Sequence, residues 1–225
     1  MDSRLRGNDS LAVNKMHFLI TAGGTREYID PVRFISNASS GRMGYALAQA
    51  AIKAGYEVTL VSASDLQPPV GVDFVGVDSA AEMFAAVKKS FAKCDCLIMA
   101  AAVSDYTPVK VSKTKIKKSD KNLVIKLKPT ADILKWAGKH KNESRVTSHG
   151  SRIIVGFALE DKNLRKNAEK KLKEKNLDMI VANSPAAIGY EKSTVHIKTP
   201  NHKWLKLPHT TKTTIAKKIV DLLTC

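Results

Sequence analysis

The sequence predicts an α/β fold built on a doubly wound, mainly parallel sheet, and three observations carry that expectation. Short apolar runs, beginning at His17–Thr21, alternate with helix-period segments at the lengths of βαβ units. Cys96–Val103 (CLIMAAAV) is fully apolar, as strands covered on both faces are. The first run ends in Ala22-Gly23-Gly24, a tight turn at the carboxyl end of a strand, where sheets of this kind bind ligands.

The elements follow in order. Met1–Asn14 is polar and lacks the apolar stretch of a secretory signal, so residues 1–15 are expected to be a disordered leader or an overlong start ahead of Met16. Residues 16–225 are expected to form one domain. Met43–Ala54 has helical spacing, with Ser39 or Ser40 as cap and Gly55 as stop. Strands follow at Glu57–Ser62 and Phe74–Val77, and Ser79 caps a helix through Lys89. Ser104–Pro129 breaks the pattern: it holds eight lysines and reads as a mobile basic flap, with a strand at Leu123–Leu127. A helix over Ala131–His140 and a polar loop over Asn142–Ser151 come next. Arg152–Phe157 and Asp178–Ala182 are buried strands around a Lys-rich helix, Asn163–Lys175. Ser193–Lys198 and Lys203–Leu207 form a hairpin across Pro200-Asn201, and an amphipathic helix, Thr210–Leu223, closes the chain. The whole is Rossmann-like, with a basic flap insertion and a C-terminal hairpin.

Composition bounds the function. The 225 residues are 44% hydrophobic and 26% charged, ordinary globular usage. The 37 Lys+Arg against 21 Asp+Glu give a net charge of +16, which favours anionic partners such as nucleotides, phosphorylated metabolites, nucleic acid or acidic lipid. Three cysteines make no disulfide scaffold, and Cys94-x-Cys96 has no second pair to complete a zinc site, so buried thiols in a reducing cytoplasm are expected. No apolar run approaches the roughly 18 residues of a membrane span. The six histidines show no ligand spacing.

Several residues could carry chemistry. The turn Thr21–Glu27 could cradle a phosphate through Gly23 and Gly24, or serve as a tight turn only. It is not a dinucleotide fingerprint: G-x-G-x-x-G is absent, and an insertion, Arg26–Ala38, separates the strand from its helix. Asn37 stands just ahead of that helix, where an amide can hydrogen-bond an oxyanion or carbonyl; it could equally be an ordinary loop residue. Asp105 follows an apolar strand and could hold Mg2+ or a ribose, or simply end the strand. Lys115, in K-T-K-I-K-K, could close over a polyphosphate or remain a solvated surface lysine. Lys171 and Lys175 share one helix face and suit either phosphates or solubility. Phe157 could stack on a base or pack in the core.

Together these segments resemble one family, phosphopantothenoylcysteine synthetase of the bacterial CTP-dependent type. The 24-residue run TAGGTREYIDPVRFISNASSGRMG, Thr21 to Gly44, is similar to its signature. AAAVSDY (Ala100–Tyr106), KIKK (Lys115–Lys118), KPTADIL (Lys128–Leu134), VGFALE (Val155–Glu160) and KNLDMIVAN (Lys175–Asn183) follow in the family's order. The resemblance implies a ligase of coenzyme A biosynthesis. CTP would activate the carboxylate of 4′-phosphopantothenate as an acyl-cytidylate, releasing pyrophosphate. The amine of L-cysteine would then displace CMP.

The resemblance also implies roles. Asn37 would contact the acyl-cytidylate, and Lys115 on the flap would serve the first half-reaction. Asp105, Phe157, Lys171, Lys175, the strand end Met99-Ala100-Ala101 and the loop Thr130-Ala131-Asp132-Ile133 would bind nucleotide. Gly41 and Gly44, with Gly23 and Gly24, would let backbone approach a phosphate. Mg2+ would be required, with no protein ligand assigned to it, and the enzyme would be a cytoplasmic homodimer. The loop departs from the family's N-P-D-I, which bears on base recognition, and Gly24 stands where proline is common. Nothing before residue 16 resembles the flavin decarboxylase domain of many members, so no FMN is expected.

Three alternatives remain: the same reaction with ATP, a basic nucleic-acid-binding protein, and a nicotinamide reductase. No aromatic lies between Lys110 and Lys128 to stack bases, so no nucleic-acid partner is expected. The strand Glu57–Ser62 runs into alanine, not into the acidic residue that would hold an adenosine ribose.

Overall fold

The structure is a computed structural model and describes residues 15–142 and 150–224. The expected leader, most of the polar loop 142–151, His149 and Cys225 lie outside the described residues. The elements are β1 (His17–Ala22), β2 (Arg26–Tyr28), β3 (Phe34–Ser36), α1 (Arg42–Lys53), β4 (Glu57–Ser62), β5 (Asp73–Gly76), α2 (Ala80–Phe91) and β6 (Cys96–Met99). Then come β7 (Tyr106–Pro108), β8 (Leu127–Pro129), α3 (Ile133–His140), β9 (Ile153–Leu159), α4 (Leu164–Glu174), β10 (Met179–Asn183), β11 (Lys192–Lys198), β12 (Leu205–Thr211) and α5 (Lys212–Leu223).

Eight strands form one sheet in the order β12-β11-β10-β9-β6-β1-β4-β5. The six from β5 to β10 are parallel, and β11 and β12 add an antiparallel edge. Alternation along β1 shows why the sheet is covered twice. Phe18, Ile20 and Ala22 pack with α1 and α5, while Leu19 packs with α2, α3 and α4. From β1 the chain crosses to β4, and from β6 it crosses the other way to β9. The order therefore reverses between β1 and β6, which opens a crevice at the carboxyl ends of these strands. The expected Rossmann-like class, with its C-terminal hairpin, is the observed one.

Three local expectations are corrected, and one element is new. The apolar run after Cys96 is strand only to Met99. There the chain turns towards the first loop, Ala101 N–H donating to Thr21 Oγ1 (3.2 Å) and Ala102 N–H to Gly23 O (2.8 Å). Neither Ser39 nor Ser40 caps α1: its N-cap is Gly41, left-handed at φ 79°, with no side-chain cap. The flap strand is Leu127–Pro129, not Leu123–Leu127: it pairs antiparallel with Tyr106–Pro108. Within the insertion after β1, β2 and β3 form a short antiparallel hairpin.

Candidate active site

A cavity of about 540 Å³ opens where the sheet order reverses. Its floor is the chain leaving β6, Met99 to Val103, with Phe157 and Leu159 of β9 and Asn183 of β10. One wall is the start of α1 with the residues before it, Asn37 to Met43. The facing wall is the loop Thr130–Leu134 and the lysine face of α4.

That facing wall is electrostatically tuned. Asp132 caps α3, accepting from the Lys135 amide at 2.9 Å, and pairs with Lys175 Nζ at 2.8 Å. Burial alone would raise the Asp132 carboxyl, but Lys175 and the Lys135 amide hold it below its ordinary value. Lys171, one turn earlier, donates to the carbonyl of Phe157 at 2.7 Å. Burial first, and then the charge of Lys175, hold its ammonium below the ordinary lysine range. A partly desolvated ammonium beside a second one is a strong anion site, because a bound polyphosphate offsets both penalties.

Asn37 lines the same cavity. Its Nδ2 donates to the carbonyls of Ala102 (3.3 Å) and Val103 (3.2 Å). Carbonyls only accept, so the amide is oriented with its NH2 towards them. The free atom is therefore Oδ1, an acceptor. This reverses the polarity expected for Asn37, whose donors are engaged by the chain itself. Gly24 permits the approach: a Cβ there would stand 2.5 Å from the Asn37 carbonyl oxygen.

The structure gathers Asn37, Met99, Ala100, Ala101, Asp105, Thr130, Ala131, Asp132, Ile133, Phe157, Lys171, Lys175 and Gly41 around one cavity. Thr130 turns inward to its own loop, its hydroxyl donating to Ser104 O at 2.6 Å. Gly23, Gly24 and Gly44 are buried outside the lining; at Gly44 a Cβ would stand 2.5 Å from that of Ala22, so this glycine seats α1 on β1. Lys115 is exposed and also outside the lining.

Sequence reasoning missed Arg42 and Lys212, which bring two further cations to the rim. Lys212 Nζ also donates to Tyr190 O. Burial first, with Arg42 adding to it against Glu191, lowers the Lys212 ammonium. Nothing marked Lys212 among 37 basic residues. Among the described residues no three His, Cys, Asp or Glu come together as a metal cluster. None of their helices is long and apolar enough to cross a membrane. Cys94 and Cys96 are buried, and burial pushes the Cys94 thiol up to about 12.

Comparison with known proteins decides the family. The model of the DNA/pantothenate metabolism flavoprotein C-terminal domain matches residues 13–224. The chain belongs to this family. The match spans every segment that carried the sequence resemblance. The coenzyme A biosynthesis bifunctional protein CoaBC of Bacillus subtilis is 47% identical over 175 residues, 77% of this chain and 41% of that protein. A cysteine/cysteine sulfinic acid decarboxylase from an unknown prokaryotic organism is 44% identical over 214 residues, 92% of this chain and 58% of that protein. The chain thus spans about half the length of the curated relatives it matches. The crystal structure of the C-terminal domain of a CoaBC protein superposes with a TM-score of 0.77 at 39% identity, covering 92% of this chain and 93% of that one.

Proposed function

We propose that this chain is a phosphopantothenate–cysteine ligase of coenzyme A biosynthesis that uses CTP. The observation that carries the reading is that Asn37 and the Lys171–Lys175 face line one cavity in a chain of this family. In the first half-reaction a carboxylate oxygen of 4′-phosphopantothenate attacks the α-phosphorus of CTP. The bond to pyrophosphate breaks and an acyl-cytidylate forms. Lys171 and Lys175 hold the phosphates and stabilise the charge that builds on the leaving pyrophosphate. Lys115, on the flap, supplies a further cation to this step.

In the second half-reaction the neutral amine of cysteine attacks the acyl carbon. The C–O bond to CMP breaks, CMP leaves with the bonding electron pair, and the amine gives up one proton to solvent as the amide forms. The free Oδ1 of Asn37 accepts one N–H of that amine and orients its lone pair. An amide oxygen is too weak a base to take the proton, so Asn37 positions the nucleophile. The loop Ala131–Ile133 and Phe157 flank the base. Mg2+ fits the site only as an ion held chiefly by the triphosphate, with Asp105 the one lining carboxylate not tied to a lysine; when bound it would neutralise phosphate charge.

A homodimer is part of this reading. The β2–β3 hairpin packs beside β7. Val32, Phe34, Ile35, Tyr106, Val109 and Leu127, all exposed, give these two small sheets apolar surface of the kind a second copy would cover.

The test is product formation by the purified chain with 4′-phosphopantothenate, Mg2+ and either CTP or ATP, with and without L-cysteine. Phosphopantothenoylcysteine, CMP and pyrophosphate in equal amounts are expected with CTP. Turnover with ATP alone overturns the nucleotide, and no turnover from folded protein overturns the reaction.

A further inference from the structure

The turn of the β2–β3 hairpin and the flap meet at one buried carboxylate. Asp30 is 0% exposed. Its Oδ1 accepts the backbone amides of Val32 (2.8 Å) and Arg33 (2.9 Å), which closes the turn. Its Oδ2 accepts Arg33 Nε (2.9 Å), Arg33 Nη2 (2.6 Å) and the backbone amide of Ile116 (3.2 Å). Arg33 Nη2 also donates to the carbonyl of Ile116 at 2.5 Å. One ion pair thus holds Ile116 by both its N–H and its C=O. A second anchor lies close by, where Ser112 N–H donates to Ile29 O at 3.0 Å. Between the anchors run Lys113, Thr114 and Lys115.

Closing the hairpin turn needs only Oδ1. Oδ2 and the guanidinium are committed to a segment more than 80 residues further along the chain. That segment has no regular structure of its own: between β7 and β8 no residue of the flap is helix or strand. Its backbone is therefore ordered by contacts to other elements, and among the described residues the Asp30–Arg33 pair is the charged one. We propose that Asp30 and Arg33 are positioning residues that fix the flap backbone beside Lys115, and that Lys115 serves the first half-reaction only while this clamp is closed. The inference rests on the role given to Lys115 under the proposed function. Burial would raise the Asp30 carboxyl, but the Val32 amide, Arg33 and the Ile116 amide hold it well below the usual carboxylate range. The clamp is thus charged at every physiological pH, and it acts as a fixed register.

Asp30→Asn is the informative variant. Its Oδ1 can still close the turn, while its NH2 faces the donors of Arg33 and Ile116 and cannot accept from them. The full chain is assayed in single turnover as wild type, Asp30→Asn, Lys115→Ala and the double variant. Pyrophosphate release without cysteine reads the first half-reaction, and a cysteine chase reads the second. Lys115→Ala and Asp30→Asn are each expected to slow pyrophosphate release about tenfold to a hundredfold, the scale of an ångström misplacement. The nucleotide KM and the chase rate stay near wild type, and the double variant is no slower than Lys115→Ala alone.

Multiplying effects in the double variant would overturn the proposal while leaving Lys115 its role, as would equal slowing of both half-reactions by Asp30→Asn. Full pyrophosphate release by Lys115→Ala would remove the role of Lys115, and the proposal with it. Arg33→Lys gives the same reading should Asp30→Asn fold poorly, because it keeps a cation for Asp30 and loses the fork to Ile116. Hydrogen exchange at the Ile116 amide is expected to quicken in both clamp variants and to stay unchanged in Lys115→Ala; protection retained in the clamp variants would contradict the clamp.

Discussion

Replacing Gly138 by alanine sets two physical rules against each other. Gly138 is buried inside α3, where helix propensity alone favours alanine by about 0.5–1 kcal/mol. Packing reverses the sign. A Cβ at 138 would stand 1.8 Å from the carbonyl oxygen of Lys175, whereas real Cβ atoms essentially never come within 3.0 Å of a neighbour. The obstacle is backbone and cannot rotate away, so α3 and the end of α4 must part by more than an ångström. Overpacking of this kind costs about 1–3 kcal/mol. The hydrogen bond from Asn176 Nδ2 to Gly138 O, 3.0 Å long, weakens with it. The balance is a net loss of about 1–2 kcal/mol, or about 2–8 °C in Tm for a chain of this size. Differential scanning calorimetry reads the shift. Lys175 and the Asp132 cap sit on the two displaced helices, so the nucleotide KM is expected to rise in the same variant. A Tm equal to or above that of the wild type would refute the close approach of α3 to α4.

Three further outcomes follow from single groups. Asp132→Ala is expected to lower stability by about 1 kcal/mol in urea titrations through loss of the α3 cap, whereas Asp132→Asn keeps the cap and stays within about 0.5 kcal/mol. The Lys171 ammonium, held down by burial and by Lys175, gives up its proton below the ordinary lysine range; the nucleotide KM is therefore expected to rise at alkaline pH before exposed lysines titrate, and Lys171→Arg to remove that limb. The depressed Asp30 carboxyl contributes stability that is present above the unfolded pKa, about 4, and is lost as pH falls through the lower folded value. Denaturation midpoints compared between pH 7 and pH 3 should fall further for the wild type than for Asp30→Asn.

Much of the sheet was legible because buried parallel strands leave unbroken apolar runs, and β1, β4, β9 and β10 lie within a residue or two of where those runs placed them. The failures have physical causes. The run Cys96–Val103 is apolar throughout, but Ala100–Val103 line the cavity floor, which asks for the same residues as a strand. The β2–β3 hairpin is only three residues on a side, and its β3 strand is exposed throughout, so no alternation announced it. The Gly41 cap follows from backbone geometry, not from a side chain, and the two serines before it drew the expectation away.

The site was partly legible too. Lys171 and Lys175 showed as a shared helix face, and Asn37 as a polar group ahead of a helix. What local sequence cannot carry is the partner across the fold. The carbonyls that turn Asn37 into an acceptor lie 65 and 66 residues away, and the Ile116 amide that meets Asp30 lies 86 away.

We propose that one cavity performs both half-reactions, with the lysine face serving the first and Asn37 the second. The direct measurement is a single-turnover experiment with 4′-phosphopantothenate, Mg2+ and CTP, followed by a cysteine chase, on wild type, Asn37→Asp and Lys171→Met. The wild type should release one pyrophosphate per site before the chase and form amide after it. Asn37→Asp, whose carboxylate is repelled by the Ala102 and Val103 carbonyls, should keep the pyrophosphate burst and accumulate acyl-cytidylate that cysteine does not consume. Lys171→Met should lose the burst. A burst lost in Asn37→Asp and kept in Lys171→Met would contradict the assignment of the two walls.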